Sequence, residues 1–479
     1  MNLFRRKPIA VLQAEAESDH GLRRALNAWN LTLLGIGAII GTGIFVLTGT
    51  VAAQNAGPAV VLSFVLAGIA SIFAALCYAE FASTVPVAGS AYTYGYATLG
   101  ELFAWIIGWD LILEYALSAT TVAIGWSGYM VRLLNTIGLS LPPELTAARG
   151  TELTLADGSV VTTIFNLPAV IIVALVTIML VVGVKESASL NNVVVFIKVG
   201  VVLLFIALAS RAIEPANWTP FIPPNEGTRE AFGYSGIVAG AGVVFFAYIG
   251  FDSVSTAAQE AKNPQRDMPI GIIASLLVCT VLYIVVSGIA TGVVPYRELD
   301  VPDPISKVAA SAGLGFVTDL ITIGAIAGLS SVILVQLYAQ SRIFYTMAND
   351  GLLPAWVAKI HPRFRTPWIT QIAIGIAVAI PAGFLTVREA ASLVSIGTLL
   401  AFAIVSAGVL VLRRREPDLH RPFRTPLVWF VAPMGVISAL YLMQGLPLRT
   451  WMRLLVWLAI GLVVYFVYGM RHSKLARKA

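Results

Sequence analysis

The sequence predicts an all-α polytopic membrane protein with twelve transmembrane helices, and two observations support this fold class. Of the 479 residues, 58% are hydrophobic and only 12% are charged, whereas about a quarter of the residues in a typical soluble protein are charged. Twelve apolar stretches are also close to the length of about 20 residues that an α-helix needs to cross a bilayer. They are residues 30–53, 59–83, 101–134, 165–184, 188–210, 233–258, 268–294, 314–348, 367–386, 389–412, 426–445 and 451–470.

The residues before the first span, 1–28, carry charges of both signs and contain no apolar core of the signal-peptide type. We therefore expect the first span to act as its own uncleaved insertion signal. With both termini in the cytoplasm, 21 of the 31 Lys and Arg residues fall on the cytoplasmic side and 9 on the outer side. Short cytoplasmic loops are enriched in these residues, so the distribution predicts this orientation in the inner or plasma membrane. The net charge of +6 is explained by topology and attraction to membrane lipid, and nucleic acid is not implied.

The cysteines and histidines indicate neither a disulfide framework nor a metal site. Cys77 and Cys279 both fall inside predicted spans, where we interpret them as small buried apolar residues. The four histidines lie in predicted loops or tails and form no ligand cluster. No nucleophile and base pair is evident either, so an enzyme is the class that the sequence disfavours most.

The spans suggest two structural repeats. Residues 29–210 hold five spans and residues 233–412 hold five more, so the second repeat would insert upside down, as in many secondary transporters. Residues 426–470 add two helices and residues 471–479 form a cytoplasmic tail. Between the second and third spans, residues 84–100 carry no charge before Glu101 and are rich in small residues and tyrosine, which favours a short re-entrant or interfacial helix.

The first span contains Gly41, Thr42 and Gly43 at mid-membrane depth. Each glycine weakens a helix by about 1 kcal/mol relative to alanine, and backbone groups freed inside hydrocarbon persist only where protein or a water-filled cavity satisfies them. We expect a break here, with the N–H groups of Gly41, Thr42, Gly43 and Ile44 free to bind a carboxylate. The alternative is that the glycines merely let helices pack closely.

The sixth span contains the run FFAYIGFDSVS, which predicts a second break. Carbonyls near Ile40 in the first span, together with those of Phe246, Ala247 and Ile249, would then receive an ammonium group. Phe246 and Tyr248 could also close over a bound side chain, although aromatic residues in membrane helices more often serve packing.

Lys198 lies ten residues after the start of the fifth span, about 15 Å deep. Intramembrane charges are costly and usually functional. Burial disfavours the charged form of lysine, so Lys198 could change its protonation state as water access changes, which proton coupling requires. Alternatively it stays charged and binds carbonyls of the broken first helix, and the two roles are compatible.

Two carboxylates in the third span and one in the sixth are candidate partners for a cationic side chain. Asp110 and Glu114 stand one helical turn apart, where like charges repel. Glu114 is predicted to lie near the depth of the breaks, and Asp252 follows Phe246 by six residues. Glu114 could instead hydrogen-bond to a neighbouring helix, and Asp252 could cap one. Glu80 and Asp319 are expected to be structural.

Ser330 and Ser331 in the eighth span are placed where a sodium site could form beside the first break. Because the charge of Lys198 would repel a sodium ion there, we expect transport without sodium.

Two long motifs resemble those of amino acid permeases in the amino acid-polyamine-organocation superfamily. They are GIGAIIGTGIFVLTG near the N-terminus and FFAYIGFDSVSTAAQEAKNPQRDMPIGI, the second being similar to the cationic amino acid transporter branch. The similarity covers most of residues 25–412. It implies a LeuT-like fold of five plus five inverted helices, with discontinuous helices 1 and 6 binding the substrate. Animal members of this branch have fourteen spans, so twelve spans resemble bacterial relatives, whose proton-coupled members carry a lysine at the position of Lys198.

The function predicted from residues and resemblance together is sodium-independent, proton-coupled import of amino acids by alternating access. Cationic substrates (arginine, lysine and ornithine) would suit Glu114 and Asp252, and small neutral ones such as alanine would suit a tight apolar pocket. No cofactor is expected beyond the proton gradient. An obligate amino acid or polyamine exchanger and a non-transporting amino acid receptor remain as alternatives, and the sequence leaves a small membrane accessory subunit open.

Overall fold

The computed structural model describes residues 5–8, 26–85, 90–154, 158–183, 188–364 and 366–477. Each of the twelve predicted stretches contains helix, and the first and sixth are interrupted. The α-helices are α1 (Ala28–Ile39), α2 (Thr48–Val51), α3 (Val60–Thr84), α4 (Ser90–Thr98), α5 (Glu101–Thr136), α6 (Leu167–Val182), α7 (Ala188–Ala209), α8 (Gly233–Val244), α9 (Ser253–Thr256), α10 (Pro264–Val293), α11 (Pro304–Ser311), α12 (Gly315–Asn349), α13 (Trp368–Phe384), α14 (Val387–Arg415), α15 (Val428–Gln444), α16 (Leu448–Val464), α17 (Met470–His472) and α18 (Lys474–Arg477).

Eight helical stretches among the described residues are long and apolar enough to cross a membrane. They are Gly43–Thr84, Glu101–Thr136, Asn192–Ala212, Gly233–Ser255, Pro264–Val293, Gly315–Asn349, Val387–Arg415 and Leu448–His472. Four shorter apolar helices, α1, α6, α13 and α15, have 10–17 residues each. These lengths confirm a polytopic helical membrane protein, and twelve spans remain the prediction.

One small β-hairpin departs from the predicted all-α architecture. Strands β1 (Glu152–Thr154) and β2 (Val160–Thr162) pair antiparallel in the connection between α5 and α6. Their residues are at most half-buried, and threonine and valine favour such extended, half-exposed backbone. The described end of the turn includes Gly158 with φ +82°, which glycine adopts without steric cost.

Both ends of the described chain meet at one face of the molecule, which we call the terminal face; the other is the opposite face. The buried Glu101 carboxylate, at the start of α5, accepts hydrogen bonds from Tyr96, Tyr465 and Ser473 at 3.0, 3.0 and 2.6 Å. The Glu101 amide donates to the Arg5 carbonyl at 2.8 Å. Helix α4 lies here, where a short helix was predicted. Of the positive charges used above to orient the chain, Arg23, Arg24, Lys185, Arg365 and Lys478 lie outside the described residues.

A buried ion network holds the terminal ends of α3 and α14 together. Both oxygens of Glu80 accept from the Arg413 guanidinium at 2.8 Å, and one also accepts from the Thr425 amide at 2.8 Å. Arg421, 4% exposed, donates to the Glu416 carbonyl at 2.7 Å. These contacts agree with a structural role for Glu80.

The last two long helices pack on the rest of the bundle rather than standing apart. On α16, the Trp457 ring stacks on Trp109 of α5 at 4.6 Å between centroids, and each indole donates to the other residue's carbonyl. At the turn between α15 and α16, a Cβ on Gly445 would lie 2.7 Å from the Val238 carbonyl of α8. The C-terminal helices therefore contact α8, the first part of the interrupted sixth span.

Candidate binding site at two broken helices

The first span is interrupted at Ile40 and Gly41. Helix α1 ends at Ile39, and Ile40 is extended with φ −72° and ψ 101°. Helical backbone resumes at Thr42 and continues as a π-helix over Gly43–Leu47 into α2. The break thus begins one residue before the predicted glycines. The N–H groups of Thr42, Gly43 and Ile44 lie in the first turn of the second half, where an intrahelical acceptor is lacking.

The sixth span is interrupted at Ile249 and Gly250. Helix α8 tightens into a 3₁₀ turn over Phe245–Tyr248, and Ile249 is then extended with ψ 134°. Gly250 has φ +125°, a conformation that other residues rarely adopt. Helix α9 follows from Ser253. The predicted second break is therefore present in the structure.

The two breaks lie directly against each other. A Cβ added to Gly43 would overlap the Cβ of Ala247 and lie 2.5 Å from its Cα, and one on Gly250 would lie 2.8 Å from the Ala38 carbonyl carbon. Gly41 is roomier, since its added Cβ would be 3.8 Å from the nearest atom, on Val332 of α12. The absence of a side chain at Gly43 and at Gly250 thus allows the two broken backbones to approach this closely.

Lys198 of α7 binds the end of α1, as expected if this lysine binds carbonyls of the broken first helix. Its ammonium donates to the carbonyls of Gly37 at 2.9 Å and Ile40 at 3.3 Å, and the residue is 1% exposed. Its aliphatic stem packs on Gly328 of α12, where an added Cβ would lie 2.7 Å from the lysine Cε. A positive charge on Lys198 would therefore lie at the C-terminal end of α1, where the helix dipole favours cations.

Tyr283 of α10 joins the two breaks and was not identified from the sequence. Its hydroxyl lies 2.8 Å from the Ile39 carbonyl and 2.8 Å from the Ala247 carbonyl. With one proton and two acceptors, it can donate to only one carbonyl at a time. A single tyrosine in an apolar span has no distinguishing sequence signal, because most such residues serve packing.

Three of the carbonyls predicted to receive an ammonium group already accept hydrogen bonds. Ile40 accepts from Lys198, Ala247 accepts from Tyr283, and Phe246 accepts from the Ile249 amide at 3.1 Å. Each carbonyl oxygen has two lone pairs and can accept a second bond. A bound ammonium would therefore share these acceptors or displace the Tyr283 hydroxyl.

The three acidic residues predicted near the site are buried and differ in their contacts. Asp252 accepts from the Gly250 amide at 3.1 Å, so it stabilises the second break. Glu114 lies beside the Thr398 hydroxyl of α14, and Asp110 lies against Gly397, whose added Cβ would be 2.7 Å from its Oδ1. Among the described residues, no lysine, arginine or histidine forms an ion pair with any of these three carboxyls.

The hydroxyl groups predicted near the breaks differ in their hydrogen bonds. The Tyr248 hydroxyl donates to the Phe64 carbonyl of α3 at 2.7 Å. The Thr42 hydroxyl is buried, without a hydrogen-bond partner in the described part of the chain. Ser330 donates to the Ile326 carbonyl and Ser331 to the Gly328 carbonyl, both within α12.

A polar network closes the opposite face above the breaks. Arg388, at the start of α14, donates to Gln54 at 2.7 Å and to Glu230 at 3.2 Å. Gln54 in turn donates to Asp300 at 2.7 Å. Gln54 ends the first span and Glu230 precedes the sixth, so both interrupted spans are tied here to α14.

A backbone tie joins the same two spans at the terminal face. The Leu26 amide donates to the Glu260 carbonyl at 2.9 Å, and the Lys262 amide donates to the Leu26 carbonyl at 2.7 Å. Leu26 precedes α1 by two residues, and Glu260 and Lys262 follow α9.

Comparisons with known proteins match nearly the whole chain. Residues 26–469 match the family model described as amino acid permease. The chain is 50% identical over 475 residues to the branched-chain amino acid permease BcaP of Bacillus subtilis and 48% identical over 474 residues to the methylthioribose transporter of the same organism, with 99% of each chain covered. It is also 39% identical over 418 residues to the vacuolar cationic amino acid transporter 4 of Arabidopsis thaliana, covering 87% of this chain and 68% of the relative.

Proposed function

This chain belongs to the amino acid permease family, and we propose that it imports free amino acids together with protons, without sodium, by alternating access. The relatives are named as permeases and transporters, so the protein is a transporter rather than an enzyme or a receptor. The observation that carries the proposal is the pair of facing breaks with Lys198 bound to the Gly37 and Ile40 carbonyls.

In this proposal, the N–H groups of Thr42, Gly43 and Ile44 bind the substrate carboxylate, because they lie at a helix start where the dipole attracts anions. The ammonium group binds near the Ala247 and Ile249 carbonyls. The fold would be LeuT-like, with two inverted repeats of five helices and α15 and α16 outside them. Residues 29–210 and 233–412 would form the two repeats, and the terminal face would be cytoplasmic.

Lys198 would couple proton movement to substrate binding. When charged, it holds the end of α1 through two carbonyls; when neutral, it holds that end more weakly, because hydrogen bonds from charged groups are the stronger ones. Loss of a proton to the cytoplasm would therefore favour release of α1. Gly328 supports this role, since any larger residue there would displace the lysine stem.

Two substrate classes are each favoured by a different observation. Cationic amino acids are favoured by Glu114 and Asp252, which are buried and form no ion pair among the described residues. Branched-chain amino acids are favoured by the relative that is 50% identical and by Val332, the nearest side chain to Gly41. A competition panel of the twenty amino acids against one labelled substrate would distinguish these classes.

Uptake into proteoliposomes tests the coupling. With an inward proton gradient and no amino acid inside, the labelled substrate should accumulate, and it should not accumulate under a sodium gradient at equal pH. Accumulation that requires internal amino acid would instead indicate an obligate exchanger.

A further inference from the structure

A large groove opens at the opposite face, beside the start of α8. Its volume is about 980 Å³, at the upper end of the range for small-molecule sites. Three elements form its walls: the first turns of α3, the start of α8 with the residues that precede it, and the turn between α15 and α16.

The lining of the groove changes from polar to apolar along the wall formed by α8, and the wall formed by α3 is apolar. Arg229 and Glu230 precede α8, whereas Ile237 and Val238 lie further along it. On α15, Gln444 is the last residue and Tyr441 lies about one turn deeper. On α3, the lining residues Leu62, Val65 and Leu66 are all apolar. The gradient along α8, facing the apolar wall of α3, matches an amphiphile that lies parallel to the helices.

The polar end carries an available positive charge. Arg229 is exposed, and no acidic side chain pairs with it in the described part of the chain. The carboxylate of its neighbour Glu230 is already engaged by Arg388 at 3.2 Å. Tyr234, 80% exposed, and Trp451 lie beside it, and such aromatic residues favour the membrane interface.

We propose that this groove binds an anionic phospholipid from the leaflet at the opposite face, with its phosphate on Arg229 and an acyl chain along Leu62 and Leu66. The lining gradient, the unpaired guanidinium and the position at the membrane edge together favour a lipid over a soluble anion. Arginine matches phosphate geometry through its paired donors.

The lipid would contact the residues before α8, which are hydrogen-bonded there to the end of the first span. Next to the groove, Asn55 at the end of the first span donates to the Glu230 carbonyl at 2.8 Å and accepts from the Phe232 amide at 2.7 Å. The bound lipid therefore stabilises the closed arrangement of this face. Lipid binding at the groove does not depend on whether transport is coupled to protons.

Thermal unfolding of the purified protein in detergent tests the site, with phosphatidylglycerol, phosphatidylcholine and glycerol 3-phosphate as probes. Phosphatidylglycerol should raise the melting temperature more than phosphatidylcholine does, and glycerol 3-phosphate should have no effect. Arg229→Gln should weaken the apparent affinity for phosphatidylglycerol by about fivefold, the effect of one arginine near an anionic surface. Arg211→Gln is the matched control, because Arg211 is exposed at the same face outside the groove.

Leu66→Trp, which fills the apolar part, should reduce the effect of both lipids. If Leu66→Trp does not fold, Arg229→Gln decides the question alone. Equal stabilisation by both lipids, or an unchanged preference in Arg229→Gln, would overturn the proposal. A shift with glycerol 3-phosphate alone would indicate a soluble-anion site, and a dimer lost in Leu66→Trp would indicate a second copy of the chain; either result also overturns it.

Discussion

Replacing Gly43 by alanine should separate the two broken helices, whereas replacing Gly41 should not. The new Cβ at Gly43 would lie 2.5 Å from the Ala247 Cα, but ordinary contacts begin at 3.4 Å. The two backbones must therefore move apart by nearly 1 Å. At Gly41 the added Cβ meets only Val332, at 3.8 Å, so the same substitution fits without movement.

The expected magnitudes follow from this overlap. Overpacking of a close contact typically costs about 1–3 kcal/mol, and a misplacement of about 1 Å in a binding geometry can reduce activity about a hundredfold. We expect Gly43→Ala to lower the melting temperature and to reduce the initial rate of amino acid uptake by one to two orders of magnitude, by the same argument. Gly41→Ala should stay within a few-fold of the wild-type rate.

Initial uptake into proteoliposomes, normalised to the amount of inserted protein, gives the measurement. The double variant Gly43→Ala with Ala247→Gly removes the overlapping Cβ but keeps the 2.5 Å contact with the Cα of residue 247, so it should recover only a small part of the activity. Equal transport rates for Gly43→Ala and Gly41→Ala would show that the two breaks are not in the contact described.

Three further substitutions test other parts of the site. Lys198→Ala should abolish accumulation driven by a pH gradient while leaving exchange measurable, and retained proton-driven accumulation would remove its coupling role. Tyr283→Phe keeps the ring but removes the hydroxyl that the two buried carbonyls share as a hydrogen-bond donor. Thermal unfolding should therefore show a destabilisation of about 1–3 kcal/mol, and an unchanged melting temperature would contradict this. Glu114→Gln should weaken arginine binding in competition assays about tenfold or more and alanine binding much less, whereas equal losses would indicate a structural role.

The sequence identified both breaks because glycine, with polar residues beside it, is conspicuous in long apolar spans. It placed the first one residue late, since the glycines mark where a break is tolerated and tertiary contacts decide where it starts. The bond between Lys198 and the Ile40 carbonyl is such a contact, and it joins residues that are 158 positions apart. Lys198 itself was predictable, because a charge at that depth is rare.

Other features of the site depend on partners that a single sequence does not reveal. Tyr283 is one of several tyrosines in apolar spans, and only the fold brings its hydroxyl between the Ile39 and Ala247 carbonyls. The hairpin of β1 and β2 was missed because strands of three residues are too short to show an alternating pattern. The groove at the opposite face is formed by three segments distant in sequence, so no local motif indicates it.

The backbone tie at Leu26 has a mechanical consequence. Because the residues entering α1 share two hydrogen bonds with the segment leaving α9, a tilt of either half-helix exerts force on the other. Moving one alone would break these bonds, at a net cost of about 1–3 kcal/mol for the pair. In the proposed transport cycle the two half-helices would therefore move together, and release at the terminal face would be a single concerted step.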